Sequence, residues 1–307
     1  MIKKGTVYCS TGSHYRIKSE GEFYDCRMKG KFRLKGIKST NPVVVGDKVS
    51  FRLNPKKESV GVITGIETRQ NYIVRKSVKL SKQTHIIAAN IDQVFLLITL
   101  KNPRTSTTFI DRFLSTAQAY KINMVLLFNK TDTYNKKELK DMRDLKLIYK
   151  KIGYDCYEIV AKDLKTLTFI KSIMKGKVNM ISGHSGVGKS TLVNSLSPGL
   201  ELKTGSISRL HKQGQHTTTF AEMFDLGLSR IIDTPGIKGF GVVDILPEEL
   251  SAYFIDFVSL REGCKFKNCL HTDEPNCAVK AAIEAGVLAP SRYKSYLQIL
   301  KEDSLYR

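Results

Sequence analysis

No run of apolar residues in this 307-residue chain approaches the length needed to cross a membrane. Met1-Ile2-Lys3-Lys4-Gly5 leads into polar sequence rather than the apolar core of a signal peptide. A helical membrane protein is therefore excluded, and no membrane partner is expected. Low-complexity tracts and internal repeats are missing too, which rules out a solenoid or a linker-dominated chain. A disulfide framework is also lacking. Of six cysteines, Cys9, Cys26 and Cys156 are scattered and three are grouped near the C-terminus, a pattern suited to a reducing cytoplasm. Acidic residues are scarce relative to basic ones, with 29 Asp+Glu against 50 Lys+Arg and a formal charge of +21. That surplus favours a polyanionic partner, nucleic acid first, although genomic base composition alone also yields lysine-rich chains. The length allows two or three domains with a substantial core.

What is present begins with Gly183-His184-Ser185-Gly186-Val187-Gly188-Lys189-Ser190, a complete phosphate-binding loop. The run Val178–Ile181 before it fits a buried strand, and Ser190–Leu196, including Thr191, has helical spacing of apolar residues. Glycines let the backbone wrap phosphate oxygens, and the free N–H groups at the helix start add favourable partial charge. Lys189 suits the β- and γ-phosphates, and the Ser190 hydroxyl suits Mg²⁺.

Asn129-Lys130-Thr131-Asp132 follows Leu126-Leu127-Phe128, so it lies at a strand's C-terminal end, where open α/β sheets bind ligands. A carboxylate at Asp132 can accept from both N1–H and the 2-amino group of guanine. Adenine lacks that donor pair, which disfavours an ATPase or kinase. Farther on, Asp233-Thr234-Pro235-Gly236 follows Arg230-Ile231-Ile232. Asp233 fits a Mg²⁺-water ligand and the Gly236 amide a γ-phosphate sensor. Between the phosphate loop and Asp233, His216-Thr217-Thr218-Thr219 stands where a switch threonine, Thr218 in this reading, completes the Mg²⁺ shell. In ordinary GTPases the phosphate loop precedes the Asn-Lys-x-Asp tetrad; here the order is inverted. The chain therefore reads as a circularly permuted GTPase, a rearrangement a parallel sheet tolerates because its loops still emerge at one edge.

Residues 1–68 hold 14 Lys+Arg and 6 Asp+Glu. Turn signals divide them into strands at Gly5–Ser10, His14–Lys18, Glu22–Met28, Val43–Leu53 (kinked at Gly46-Asp47) and Val60–Thr68. Five short strands predict a small barrel of the OB type. Tyr15, Phe23, Tyr24 and Phe32 alternate with Arg16, Lys18, Arg27, Lys31 and Arg33. Individually these aromatics are better read as core, while the basic face as a whole suits RNA. Arg69–Gln83 reads as a linker.

Near the C-terminus, Cys264-x₄-Cys269-x-His271-x₅-Cys277 supplies three thiolates and one imidazole, a ligand set that structural zinc takes tetrahedrally. Four protein ligands leave no open position, so one structural zinc per chain is expected. Helical patterns at Pro247–Leu260, Ala278–Ala285 and Ser291–Leu300 surround it. The expected architecture is multidomain α/β: an OB-type barrel (1–68), a linker (69–83), a circularly permuted P-loop GTPase domain (84–243) and a helical zinc-binding module (244–307).

Taken together, these motifs resemble the RsgA family of bacterial GTPases over essentially the whole chain, Ala88-Ala89-Asn90-Ile91-Asp92-Gln93 resembling its entry into the GTPase domain. The resemblance implies late maturation of the small ribosomal subunit, contact with its 16S rRNA, GTP hydrolysis stimulated by that subunit, and a cytoplasmic protein, expected to be a monomer. Two departures stand out. The family's guanine-base loop usually reads Ser-Ala-Lys but here is Val160-Ala161-Lys162, whose Ala161 amide still suits guanine O6. The position after Gly236 is Ile237, which cannot orient water, and the resemblance assigns that role to His216. An RNA-binding scaffold that holds GTP as a structural ligand is the alternative.

Overall fold

The computed structural model describes residues 2–28, 42–54, 57–75, 85–197, 221–233 and 245–305. It divides into two compact units, the first made of Met1–Phe95, Ala161–Ser182 and Gly188–Gly241, the second of Leu96–Val160, Gly183–Val187 and Val242–Arg307.

The first unit opens with β1 (Ile2–Ser10), β2 (Tyr15–Ser19), β3 (Glu22–Met28), β4 (Lys48–Asn54) and β5 (Lys57–Ile66). Their order β1-β2-β3-β5-β4, with β4 returning to pair with β1, closes the expected barrel. Alternation with period two shows which residues point inward: in β2, Tyr15 and Ile17 are buried while Arg16 is exposed. Val7, Val49, Phe51 and Ile63 complete that core. The expected kink is real, and the strand begins only at Lys48. Gly46 has φ +90°, and a Cβ there would lie 2.0 Å from the Ala89 carbonyl oxygen, so only glycine fits. The buried Asp47 carboxylate accepts from the Val44 amide and from two nitrogens of Arg69.

The expected linker over 69–83 contains β6 (Tyr72–Arg75), which pairs with β7 (His85–Ala89). The high density of Lys and Arg masked a short strand whose Ile73 and Val74 are buried. Asp92 then accepts from and donates to the backbone of Val178, and Gln93 donates to Asn179 and the Ile173 carbonyl.

From β8 (Gln93–Ile98) onward the chain builds the second unit with α1 (Thr107–Ala119), β9 (Asn123–Phe128), α2 (Lys136–Ile152) and β10 (Asp155–Glu158). A reciprocal Asn135–Glu138 capping box starts α2, and left-handed Gly153 ends it. Strand β10 runs parallel to β9. The first unit resumes with α3 (Leu164–Met174), β11 (Val178–Ser182), α4 (Lys189–Leu196), β12 (Glu222–Leu226) and β13 (Ser229–Asp233). Here β11 lies parallel to β13, β12 antiparallel to it, and β12 also meets the barrel at Cys9 and Glu222.

The second unit ends in α5 (Pro247–Leu250), α6 (Ile255–Arg261), α7 (Ala278–Glu284) and α8 (Pro290–Leu305). The single helix expected over Pro247–Leu260 is broken: a short 3₁₀ turn follows α5, and Phe254 is extended at φ −96°, ψ 100°. Leu250, Phe254 and Phe257 are all buried, so the helical periodicity was genuine. It recorded a shared core, not a continuous backbone.

Candidate functional site

Strand β9 delivers Asn129 to a buried position, where its amide nitrogen donates to the Val187 carbonyl at 2.8 Å. Lys130 takes a left-handed conformation (φ 65°), and its ammonium donates to the Gly186 carbonyl at 2.8 Å and to that of Asn102. Both residues of the tetrad thus hold the phosphate-loop backbone. Asp132 is exposed in a short 3₁₀ turn, tethered through Thr131 to the Ile159 carbonyl. Tyr134, which sequence reasoning passed over, accepts from the Leu100 amide and donates to the Asn129 carbonyl, bracing the tetrad from beneath. Its position two residues beyond the tetrad, at the helix entry, was the available signal.

The loop itself has φ values of 140°, 83° and 105° at Gly183, Gly186 and Gly188, as its glycines imply. A Cβ on Gly183 would meet the Leu97 carbonyl oxygen at 2.7 Å. His184 stacks on Phe109 of α1, ring centroids 3.8 Å apart at 31°. Phe109, a second residue the sequence did not reveal, supports the loop from the helix whose N-cap Ser106 accepts its amide. Ser185 is exposed and Val187 buried.

In the first unit, Gly188 caps α4, which begins with Lys189, Ser190 and Thr191, all half-buried. Burial lowers the Lys189 ammonium pKa, while Asp233 at the end of β13 pulls it back up. A cation held this way gains when a phosphate supplies further negative charge. Ala161 is buried and Lys162 exposed. His216, Thr218, Gly236 and Ile237 lie outside the described residues.

Cys264, Cys269, His271 and Cys277 come together with their ligand atoms all within 4.8 Å of one another. His271 Nδ1 lies 3.6 Å from Cys264 Sγ and 3.4 Å from Cys277 Sγ, and the two sulfurs are 3.9 Å apart. An ideal tetrahedron with Zn–S near 2.3 Å sets its sulfurs about 3.8 Å apart, so the cluster can hold such an ion. Burial lowers the His271 pKa, favouring the neutral imidazole that a metal requires. Glu274 fixes the loop by accepting from the Leu270 and Thr272 amides at 2.7 and 2.8 Å. Tyr293 and Tyr296 donate to the carbonyls of His271 and Leu270.

A buried ion network joins this module to α1. Arg292 of α8 donates twice to Asp256 of α6 and once to Asp111 of α1, which also accepts from Tyr149 of α2. Burial works against the guanidinium charge, but Asp111 and Asp256 outweigh it and hold the pKa above its ordinary value.

On the barrel, Tyr15 is core, Tyr24 is half-buried against Phe51, and Phe23 is 39% exposed. The Arg16 guanidinium sits 4.4 Å and the Lys18 ammonium 5.4 Å from the Phe23 ring centre. Arg27 is exposed, and Lys31, Phe32 and Arg33 lie outside the described residues. Lys18 also pairs with Asp225 of β12, to which Tyr8 donates.

Residues 66–243 match the family model of the RsgA GTPase, and residues 4–63 that of the RsgA N-terminal domain. The small ribosomal subunit biogenesis GTPase RsgA of Christiangramia forsetii is 62% identical, with 99% of this chain and 98% of the relative covered. RsgA 2 of Bacteroides thetaiotaomicron is 51% identical over 99% of each chain. Among solved structures, YjeQ from Thermotoga maritima superposes with a TM-score of 0.79 at 34% identity, covering 98% of each chain. YloQ, described as a circularly permuted GTPase, gives 0.77 at 29% identity, covering 100% of this chain and 96% of its own.

Proposed function

This chain belongs to the RsgA family of GTPases, and from that membership we propose that it hydrolyses GTP as a late assembly factor of the small (30S) ribosomal subunit. In this reading it acts as a monomer in the cytoplasm, binds 16S rRNA, and leaves when GTP is cleaved. The observation that carries it is the grip of Asn129 and Lys130 on the Val187 and Gly186 carbonyls, which holds the guanine tetrad and the phosphate loop as one piece.

Asp132 and the Ala161 amide read the base, with Lys130 and Lys162 bounding it. The amides from Gly183 to Ser190, Thr191 at the helix start and the Lys189 ammonium take the phosphates, and the Gly236 amide senses the γ-phosphate. Ser190, Thr218 and Asp233 would hold Mg²⁺, which neutralises charge developing on the β- and γ-oxygens when bound. His216 orients the attacking water, since Ile237 has no group to do so. Zinc on Cys264, Cys269, His271 and Cys277 is structural. The barrel face carrying Arg16, Lys18 and Phe23 takes RNA.

The test is co-sedimentation with small subunits in GDP, GTP and a non-hydrolysable analogue, alongside single-turnover hydrolysis. Association should require GTP or the analogue, and subunits should accelerate cleavage. His216→Ala should keep GTP binding while losing roughly 10²-fold of the stimulated rate. Hydrolysis indifferent to subunits would favour the scaffold reading instead.

A further inference from the structure

Three side chains hold the first half of the phosphate loop from outside it. Lys130 and Asn129 donate to the Gly186 and Val187 carbonyls, and the His184 ring lies on Phe109 with centroids 3.8 Å apart. The first two belong to the guanine tetrad. Phe109 belongs to neither nucleotide motif; it stands in the first turn of α1. Residue 184 is a place where such a hold has much to restrain. Gly183 and Gly186 stand on either side of it at φ 140° and 83°, in conformations that glycine enters and leaves easily, and Ser185 between them is exposed. The platform beneath the ring is itself fixed. Ser106 accepts the Phe109 amide, the Phe113 ring lies 6.0 Å from that of Phe109, and Ile110, Phe113 and Leu114 are buried. Thr108 donates to Gln298 of α8, and Asp111 accepts from Arg292 and Tyr149.

We propose that Phe109 is a positioning residue for the nucleotide: through His184 it holds the Gly183–Gly186 bend, before any nucleotide arrives, in the shape that receives the phosphates. The inference rests on the reading of residues 183–190 as the phosphate loop. Amides that must converge on one group of oxygens are either ordered beforehand or ordered during binding, and in the second case the lost freedom is subtracted from affinity. Contact between two rings restrains both the tilt and the translation of residue 184, and such pairs contribute more than their buried area alone. The β-phosphate is common to GDP and GTP, so the hold serves both alike. It therefore acts on affinity and not on the cleavage step. An aliphatic side chain at 109 fills similar space but offers no ring face, which lets experiment separate volume from stacking.

The experiment titrates the full chain with fluorescent GDP and a fluorescent non-hydrolysable GTP analogue, Mg²⁺ present, in wild type, Phe109→Leu, Phe109→Tyr, His184→Ala and the double variant Phe109→Leu/His184→Ala. Phe109→Leu should weaken both nucleotides by the same factor, about fivefold, and Phe109→Tyr should restore wild-type binding. Its single-turnover rate at saturating GTP should match wild type. His184→Ala should lose a similar factor, and the double variant should lose no more than either single one, because the two rings form one contact. A general loss of stability would not produce that non-additivity. Hydrogen exchange of the 183–187 backbone should quicken in nucleotide-free Phe109→Leu and return to the wild-type rate when GDP is bound. Should Phe109→Leu fail to fold, His184→Ala carries both measurements. Wild-type affinity in the leucine variant, or single losses that multiply in the double one, would overturn the proposal. So would a loss confined to the rate at saturation, which would assign the contact to cleavage. Failure of the wild type to bind either nucleotide would instead overturn the phosphate-loop reading.

Discussion

The barrel and the C-terminal module are held together by different physics. The barrel closes on its own main chain, with β4 returning to β1 around a core of Val7, Tyr15, Ile17, Val49, Phe51 and Ile63. Its hydrogen bonds are many and individually replaceable. Helices α6 and α7 of the module have 7 residues each, too short to be stable alone, and they lie with a Cys/His cluster that could hold a metal ion and one buried arginine. The attachments differ in the same way. Lys18 and Asp225 meet the barrel's neighbour β12 with 27% and 40% of their side chains exposed, whereas Arg292 and Asp111 meet with 2% and 0%. An exposed pair can be exchanged for another partner at little cost; a buried one cannot.

Metal withdrawal should separate the two regions most sharply. Apparent zinc affinities of structural sites are on the order of 10 kcal/mol or more, and in such modules that free energy is folding free energy. Chelation under reducing conditions, or Cys269→Ser, should therefore abolish the helical signal of α6 and α7 and leave the barrel's strand signal intact, as circular dichroism and hydrogen exchange would show. Freshly purified protein containing no zinc would remove the basis of the contrast.

Next in size is Arg292→Ala. It leaves Asp111 and Asp256 without their cation, and losses of this kind run to about 3–5 kcal/mol. Denaturant titration of the full chain measures it. The double change Arg292→Met/Asp111→Leu should recover much of the loss, because apolar groups of similar volume impose no charge burial. A single-variant loss below 1 kcal/mol would mean that the network is hydrated rather than dry.

Lys18→Ala should have the smallest effect, within about 1 kcal/mol, as exposed ion pairs do. Its signature lies in titration. Burial tends to raise the Asp225 pKa, but hydrogen bonds from Lys18 and Tyr8 outweigh it and hold it below the ordinary carboxylate value. The pair's contribution is thus fully present above about pH 3.9 and disappears as pH falls through the folded-state value. Carboxylate titration by NMR should find Asp225 closer to the ordinary value in Lys18→Ala; an unmoved pKa would dissolve the pairing.

Chemistry was more legible than backbone in this sequence. The phosphate loop, the tetrad and the Cys/His cluster stand out because the chemistry expected of them restricts their residue types, and the structure groups Asn129 and Lys130 with the loop and gathers Cys264, Cys269, His271 and Cys277. The barrel strands were readable because turn residues separate them. What stayed hidden was support between elements distant in sequence. Nothing near Phe109 announces that His184, 75 positions later, will lie on its ring. Arg292 looks like any helix-surface arginine until α1, α2 and α6 close over it. The break at Phe254 was invisible because burial has the same periodicity in three short pieces as in one helix.

One turn of α1 ties three parts of the second unit together. The Thr108 hydroxyl donates to the side-chain carbonyl of Gln298 in α8, Phe109 carries the phosphate-loop histidine, and Asp111 accepts from Arg292. Three successive contacts on a single turn leave that stretch little freedom to drift. Across related chains, positions 109 and 184 should change as a pair, as should 111 and 292. A lineage that replaces the loop histidine with an aliphatic residue loses its reason to keep an aromatic at 109, yet must still keep the acid two residues later.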